Sequence, residues 1–281
     1  MSAEEGESSL SAQTDLMGGR LQSRDGTQLA YLSLGEGPTV VCLHGGFNSG
    51  LDWLPVARLL ADRYRLVLVD RRGHGVSDSG VDGHTLDLEV EDLTAVLAET
   101  GPAQAILAHS FGALVALHAA TGPLADQIGA LILYEPPLLV QAGEAGVFET
   151  LDEHIAAGRY EAAMSEALTR VLDMSEQDLV QMRRSGRIWA GMVAAAPSLP
   201  AQTRIMAAAA AAVDEVRGID LPTLLLVGEY SDPGTFGSSV DRLADRIPGA
   251  RVVTLSGQGH SAMSRGPEAL AGEVEKFLID R

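Results

Sequence analysis

The sequence predicts an α/β fold with a mostly parallel sheet, helices on both faces and a helical insertion. Three observations predict it. Short apolar runs of strand length alternate with longer helical patterns, four motifs suited to chemistry follow directly on such runs, and one long stretch has no convincing strand. The chain has 281 residues, 46% of them hydrophobic, which is enough for a single α/β domain with an inserted segment.

Seven runs have the length and composition of strands. The run 28–34 alternates between apolar and polar residues, which is typical of a half-exposed strand. The other six are continuous apolar runs, as in buried parallel strands, and they cover 39–43, 65–69, 104–108, 130–133, 224–227 and 251–255. Helical patterns lie between the runs, at 51–62, 86–99, 111–120, 238–246 and 261–279.

Residues 137–218 interrupt this alternation. They are rich in Ala, Met and Glu and have the pattern of three or four helices. We interpret them as a helical cap over one end of the sheet, the alternative being ordinary packing helices. The predicted division is therefore a disordered acidic tail (1–16), a core made of 17–136 and 219–281, and a cap made of 137–218.

The charge balance argues against several classes of partner. The net charge is −18 and no stripe of Lys and Arg is present, so neither nucleic-acid phosphates nor an anionic membrane are expected partners. The N-terminus has no basic and apolar signal pattern, and no run approaches the length that spans a bilayer. We therefore expect a small-molecule substrate, a cytoplasmic location and a monomer or homodimer. The one cysteine, Cys42, excludes an internal disulfide.

The first chemical motif is Ala108-His109-Ser110-Phe111-Gly112, between a strand-like run and a helical pattern. A tight strand-to-helix turn pushes its central side chain into the open and requires small neighbours two residues away on either side. We predict that Ser110 is a nucleophile. The alternative is a serine that only caps the following helix.

The second motif, His44-Gly45-Gly46-Phe47, follows the run 39–43. A loop with paired glycines presents free backbone N–H groups to a developing negative charge. We predict an oxyanion hole made by the N–H of Phe111 and that of Gly46 or Phe47. A glycine turn without a catalytic role is the alternative.

Two carboxylates compete for the next role. Asp232 follows the run 224–227, where a carboxylate can orient a histidine, although Asp232-Pro-Gly is also a turn sequence. Glu135, in Tyr134-Glu135-Pro-Pro, follows the preceding run and faces the same end of the sheet. We predict Asp232 as the acid, with Glu135 as the rival.

The fourth motif, Gly257-Gln258-Gly259-His260, follows the last strand-like run. Flexible glycines allow the loop to bring an imidazole across the end of the sheet, so His260 is predicted to take the Ser110 proton. The order Ser110, Asp232, His260 differs from the orders used by chymotrypsin-like and subtilisin-like enzymes.

From residue 17 to the end, the chain resembles the α/β-hydrolase superfamily in these four motifs. The segment 70–78, Asp-Arg-Arg-Gly-His-Gly-Val-Ser-Asp, is similar to a structural loop of that family. The resemblance implies an eight-stranded sheet, with the nucleophile at Ser110, the acid at Asp232, the base at His260 and the oxyanion donors at Gly46 (or Phe47) and Phe111. The departure is Ala108, where the family usually has glycine.

A serine nucleophile with an oxyanion hole indicates acyl transfer through an acyl-enzyme. We expect a small-to-medium, mainly apolar ester, lactone or thioester as substrate, and neither cofactor nor metal, because no ligand or nucleotide motif is present. The substrate-binding candidates are Tyr134, Trp189, Met192, Tyr230 and Met263, with core packing as the alternative. Two other functions remain open: a C–C hydrolase, perhydrolase or acyltransferase with the same triad, and a ligand receptor on a hydrolase scaffold.

Overall fold

A computed structural model describes residues 15–80, 83–138, 146–171, 174–212 and 216–281. Its strands are β1 (Met17–Gln22), β2 (Gln28–Leu34), β3 (Thr39–Leu43), β4 (Arg65–Asp70), β5 (Ala105–His109), β6 (Leu131–Tyr134), β7 (Thr223–Gly228) and β8 (Arg251–Leu255). They form one sheet in the order β1-β2-β4-β3-β5-β6-β7-β8.

Only β2 runs antiparallel to the other strands of the sheet. β1 pairs antiparallel with β2 and β2 antiparallel with β4, whereas every later pairing is parallel. The predicted fold class, a mostly parallel eight-stranded sheet with flanking helices, is confirmed. β1 was not among the predicted runs because its sequence, Met-Gly-Gly-Arg-Leu-Gln, is largely exposed and lacks an apolar face.

The helices are α1 (Leu54–Leu60), α2 (Leu86–Thr100), α3 (Phe111–Ala120), α4 (Val147–Ala156), α5 (Tyr160–Glu166), α6 (Glu176–Arg183), α7 (Arg187–Ala194), α8 (Leu199–Ala212), α9 (Ser238–Ala244), α10 (Ala262–Arg265) and α11 (Pro267–Asp280). The single helix predicted over 261–279 is divided at Gly266. Pro267 lacks the N–H that a continuous helix needs, so α11 begins there.

Alternation along the strands builds an apolar core on each face of the sheet. Val41 and Leu43 point into the core covered by α2 and α3, while Val40 and Cys42 point into the core covered by α1 and α11. The carboxyl ends of the six parallel strands therefore meet at one edge, where ligands bind in open α/β sheets.

All described elements between β6 and β7 are helices, α4 to α8, and we call this stretch the helical segment. They have an apolar cluster of their own, built around Leu151, Met164 and Leu199, and α8 packs on α3. The division into tail, core and cap remains a prediction, and residues 1–14 of the tail lie outside the described residues. Among the described helices, none combines the length and the apolar character that crossing a membrane requires.

Candidate active site

Ser110 occupies the sharp turn between β5 and α3. Its backbone has φ 50° and ψ −120°, a conformation that a non-glycine residue adopts only at a cost of about 1–3 kcal/mol. Two backbone hydrogen bonds hold the turn: Ser110 N–H donates to Tyr134 O at 2.9 Å, and Ala113 N–H donates to Ser110 O at 2.9 Å. The strained turn leaves the Ser110 side chain half-buried instead of packed in the core.

Small neighbours make the turn possible. A Cβ at Gly112 would lie 2.6 Å from Leu43 O and 2.7 Å from His44 O, so only glycine allows α3 to approach β3 this closely. Ala108 is fully buried in the sheet, in register with Leu43 and Leu133. The structure thus accommodates the additional methyl group at the position where the family usually has glycine.

His260 and Glu135 form the central contact at this sheet edge. His260 Nδ1 donates to Glu135 Oε2 at 2.5 Å, and Glu135 is completely buried. The second carboxylate oxygen, Oε1, accepts the N–H of Gly228 at 2.6 Å. Glu135 has a positive φ of 51°, so its backbone is strained in the same way as that of Ser110. Both oxygens are therefore fixed, and the imidazole keeps Nε2 free for another partner.

Asp232 does not occupy the position that we predicted. Its exposed carboxylate accepts the N–H groups of Gly234 and Thr235, each at 3.1 Å, and caps the helical turn Pro233–Gly237. The bonds to Thr235 and Gly234 lower the pKa of Asp232. Asp232-Pro-Gly forms a turn, and His260 Nδ1 contacts the rival carboxylate, Glu135. The choice of the acid stays a prediction.

The imidazole of His260 lies between two rings. Phe236, from the turn that Asp232 caps, stacks on it with centroids 4.3 Å apart, and the ring of His109 lies 4.4 Å away. The loop before His260 is fixed by Tyr134, whose hydroxyl donates to Gly259 O and accepts from Ala262 N–H at 3.3 Å. His260 therefore lies beside the residue that precedes Ser110.

Side chains fix both peptide units that carry the predicted oxyanion donors. Gly45 O accepts from His44 Nδ1 at 2.7 Å and from Arg71 Nη1 at 3.2 Å. Gly46 O lies 3.0 Å from His74 Nε2. Because the N–H and C=O of a trans peptide point in opposite directions, these contacts also set the directions of the Gly46 and Phe47 N–H groups. The geometry leaves both donors as candidates.

A buried ion pair supports this loop. Arg71 Nη2 lies 2.9 Å from Glu89 Oε1, both side chains being 2% exposed, and the guanidinium lies 4.4 Å from the centre of the Phe111 ring. Burial alone would raise the pKa of Glu89, but Arg71 holds it down at about 2. Burial, together with Arg71, lowers the pKa of His74 to about 4. The loop 44–47, called the glycine loop below, is therefore held by a charged arginine, Arg71, and by two neutral histidines, His44 and His74.

Residues 40–273 match a family model described as the alpha/beta hydrolase family. The chain belongs to this family. It is 27% identical over 271 residues to a non-heme haloperoxidase of Rhodococcus erythropolis, covering 90% of this chain and 97% of the other. It is 25% identical over 286 residues to a bifunctional esterase/perhydrolase of Acinetobacter calcoaceticus, covering 92% and 99%. An alpha/beta hydrolase from Sphaerobacter thermophilus DSM 20745 superposes with a TM-score of 0.83 at 31% identity, covering 92% and 99%.

In this member of the alpha/beta hydrolase family, most of the predicted substrate-binding residues are buried. Tyr134 is fully buried beneath the His260 loop, and Met263 lies in the core on the α1 and α11 side. Trp189 and Met192 belong to the apolar cluster of the helical segment. Tyr230 is 75% exposed, after β7. The burial of the first four is compatible with core packing, the stated alternative, and substrate binding at these residues stays a prediction.

Sequence reasoning missed three side chains that shape the site: Phe236, Arg71 and Gln202. Phe236 stacks on His260, while Arg71 and Gln202 contact the glycine loop. Arg71 was assigned only to a structural loop, and Gln202 lies in α8, far along the chain from the other residues of the site. A signal was available for Arg71, since a charged residue directly after a buried strand usually has a specific partner.

Proposed function

We propose that this chain is a serine hydrolase that cleaves a small-to-medium, mainly apolar carboxylic ester, lactone or thioester through an acyl-enzyme. The hydrogen bond between His260 Nδ1 and the buried Glu135 carries the proposal, because it fixes the tautomer and orientation that a general base needs. The strained elbow at Ser110 supports it from the neighbouring strand end. The proposed triad is Ser110, His260 and Glu135, with Glu135 in place of Asp232.

In the proposed reaction, Ser110 Oγ attacks the acyl carbon while its proton moves to His260 Nε2. Glu135 stabilises the imidazolium that forms. The tetrahedral intermediate collapses, the alcohol or thiol leaves with the proton from His260, and the acyl group remains on Ser110. Water then attacks the acyl-enzyme as His260 takes its proton, and His260 returns that proton to Ser110 Oγ as the acid is released.

The oxyanion donors in this proposal are the N–H of Phe111 and that of Gly46 or Phe47. Both glycine-loop peptide units are fixed through their carbonyl oxygens before substrate arrives. Donors that need no reorganisation stabilise developing charge most effectively, and losing one typically costs about 10²–10³ in rate.

The preference for apolar acyl groups rests on the surroundings of the glycine loop. Phe47 packs against the apolar cluster of the helical segment, and the Phe236 ring stacks on His260. An acyl chain that contacts these apolar side chains would bury apolar area at about 25 cal/mol per Å². We therefore expect kcat/KM to rise with acyl length over short chains.

The test is a fluorophosphonate label followed by a panel of p-nitrophenyl esters that vary in acyl length. Ser110→Ala should abolish labelling and lower kcat by about 10⁴–10⁶. Ser256→Ala, a change at an exposed serine after β8, is the matched control and should retain both. Labelling and turnover that persist in Ser110→Ala would contradict the proposed function.

Perhydrolysis is a second candidate, favoured by the relative whose name joins esterase and perhydrolase. Hydrogen peroxide would replace water in the second step, giving a peracid and free Ser110. Competition between water and peroxide for one acyl-enzyme, followed by product analysis, distinguishes the two activities. A ratio of peracid to acid that rises with peroxide concentration and is lost in Ser110→Ala would support perhydrolysis.

A further inference from the structure

Gln202 connects the helical segment to the glycine loop. It lies in the first turn of α8 and is 2% exposed. Its Oε1 accepts from Arg71 Nη2 at 3.2 Å, and its Nε2 lies 2.5 Å from Ser198 Oγ and 3.5 Å from Gly46 O. A buried amide between these groups satisfies polar atoms from both the core and the helical segment.

These contacts reach both peptide units that carry candidate oxyanion donors. Arg71, which Gln202 holds through Oε1, donates to Gly45 O and so helps to direct the N–H of Gly46. Gly46 O, which Gln202 faces through Nε2, belongs to the same peptide unit as the N–H of Phe47. A Cβ at Gly46 would lie 3.0 Å from Gln202 Oε1, so the amide is also packed directly on the loop.

His74 cannot replace Gln202 as a permanent donor. Its two ring nitrogens face two carbonyl oxygens, Nδ1 at 2.9 Å from Arg72 O and Nε2 at 3.0 Å from Gly46 O. A neutral imidazole has only one N–H and donates to only one of these oxygens. Gln202 Nε2 lies 3.3 Å from His74 Nε2 and 3.5 Å from Gly46 O, so its N–H is within reach of Gly46 O in either tautomer of His74.

We propose that Gln202 is a positioning residue for the oxyanion hole, through which the seating of α8 on the core sets the directions of the donor N–H groups. This inference rests on the proposed function, since it concerns the rate of acyl transfer. It gives the helical segment a role in the rate of the chemical step in addition to any role in substrate access. It also accounts for a buried amide where an apolar residue would pack with less cost.

The test uses a fluorophosphonate, whose reaction does not depend on knowing the natural substrate. Ser110 Oγ bonds to phosphorus, fluoride leaves, the serine proton passes to His260, and negative charge develops on the phosphoryl oxygen. Intact-mass kinetics give the maximal rate of labelling and the reagent concentration at half that rate. For Gln202→Met, of similar length but without an amide, the maximal rate should fall about tenfold to hundredfold, with the half-saturating concentration changed less than twofold.

Two controls separate positioning from packing. Thr203→Val removes a buried hydroxyl from the same helix turn, which donates to Leu199 O within its own helix. It should lower Tm about as much as Gln202→Met while retaining the labelling rate. Gln181→Met, at an exposed glutamine of α6, should change neither Tm nor the labelling rate. Gln202→Glu keeps an acceptor for Arg71 but has no N–H for Gly46 O, so this variant should also be labelled slowly. It replaces Gln202→Met in the test if that variant does not fold.

The outcomes separate this inference from the proposed function. Wild-type protein that is not labelled at Ser110 overturns the proposed function, and this inference with it. Labelled wild type together with Gln202 variants within twofold of its rate overturns this inference alone. A loss of rate in Thr203→Val equal to that in Gln202→Met also overturns it, because the effect would then be general loosening of α8.

Discussion

His260 Nδ1 donates to Glu135 Oε2 at 2.5 Å, joining the loop after the last strand to the residue that directly follows β6. The carboxylate is completely buried and its other oxygen is held by the N–H of Gly228. A carboxylate fixed at both oxygens positions an imidazole more rigidly than an exposed one does. This relationship places the acid of the proposed triad one strand earlier than the sequence order suggests.

Phe236 should contribute to catalysis by holding the His260 ring. Phe236→Leu removes the stacked face while keeping an apolar side chain, so the imidazole gains freedom and kcat should fall about tenfold. Steady-state kinetics on a p-nitrophenyl ester measure this. Phe277→Leu, on the buried face of α11, is the matched control: it should lower Tm comparably and leave kcat unchanged. Equal kcat values for the two variants would show that the stacking has no catalytic effect.

The sequence alone did not identify Glu135 as the carboxylate that contacts His260. Glu135 directly follows β6 and Asp232 lies in the loop after β7, and alternation along the strands does not say which side chain turns towards the histidine. Pro233 and Gly234 make Asp232 the first residue of a helical turn, and its carboxylate is used by the N–H groups of that turn. Glu135 has a positive φ, and a sequence does not report a strained backbone at a glutamate.

The fold was more predictable than the surroundings of the site. The continuous apolar run Thr39–Leu43 coincides with β3, because burial on both faces leaves a strong pattern. The run Arg251–Leu255 coincides with β8, although this edge strand is half-exposed. Phe236 and Gln202 carried no such pattern. Their roles depend on which segments meet across the sheet edge, and those contacts join residues far apart in the chain.

The buried histidines predict a loss of stability on mild acidification. Burial holds the pKa of His74 at about 4, against an ordinary value of 6.5, and it also lowers those of His44 and His109. Between these values the unfolded chain binds protons that the folded chain does not, so stability is complete above about pH 6.5 and falls as the pH drops towards 4. Each histidine contributes up to about 1.4 kcal/mol per pH unit.

Thermal unfolding from pH 8 to pH 5 checks this expectation. Tm should be flat at the alkaline end and decline below about pH 6.5. The decline should be shallower in His74→Gln and unchanged in His118→Gln, a substitution at an exposed histidine of α3. A Tm that stays constant down to pH 5 would show that these imidazoles titrate alike in the folded and unfolded chains.

Removing one partner of the ion pair between Arg71 and Glu89 should strongly lower the stability of the fold. Arg71→Met removes the arginine from the buried Glu89 carboxylate and leaves it the contact with His84, so the free energy of unfolding should fall by about 3–5 kcal/mol. Urea denaturation measures this. Arg24→Met, which breaks the exposed pair with Glu91, is the control and should cost less than about 1 kcal/mol. Equal losses in both variants would contradict a specific role for the buried pair.

The most direct test of the central claim compares Glu135→Gln with Asp232→Asn on one ester. Both changes remove a negative charge and preserve shape, but only Glu135 contacts His260. We predict that Glu135→Gln lowers kcat by about 10³–10⁴, the scale of a lost triad carboxylate, and that Asp232→Asn stays within about tenfold of wild type. A severe loss in Asp232→Asn with near-normal turnover in Glu135→Gln would contradict the assignment of Glu135.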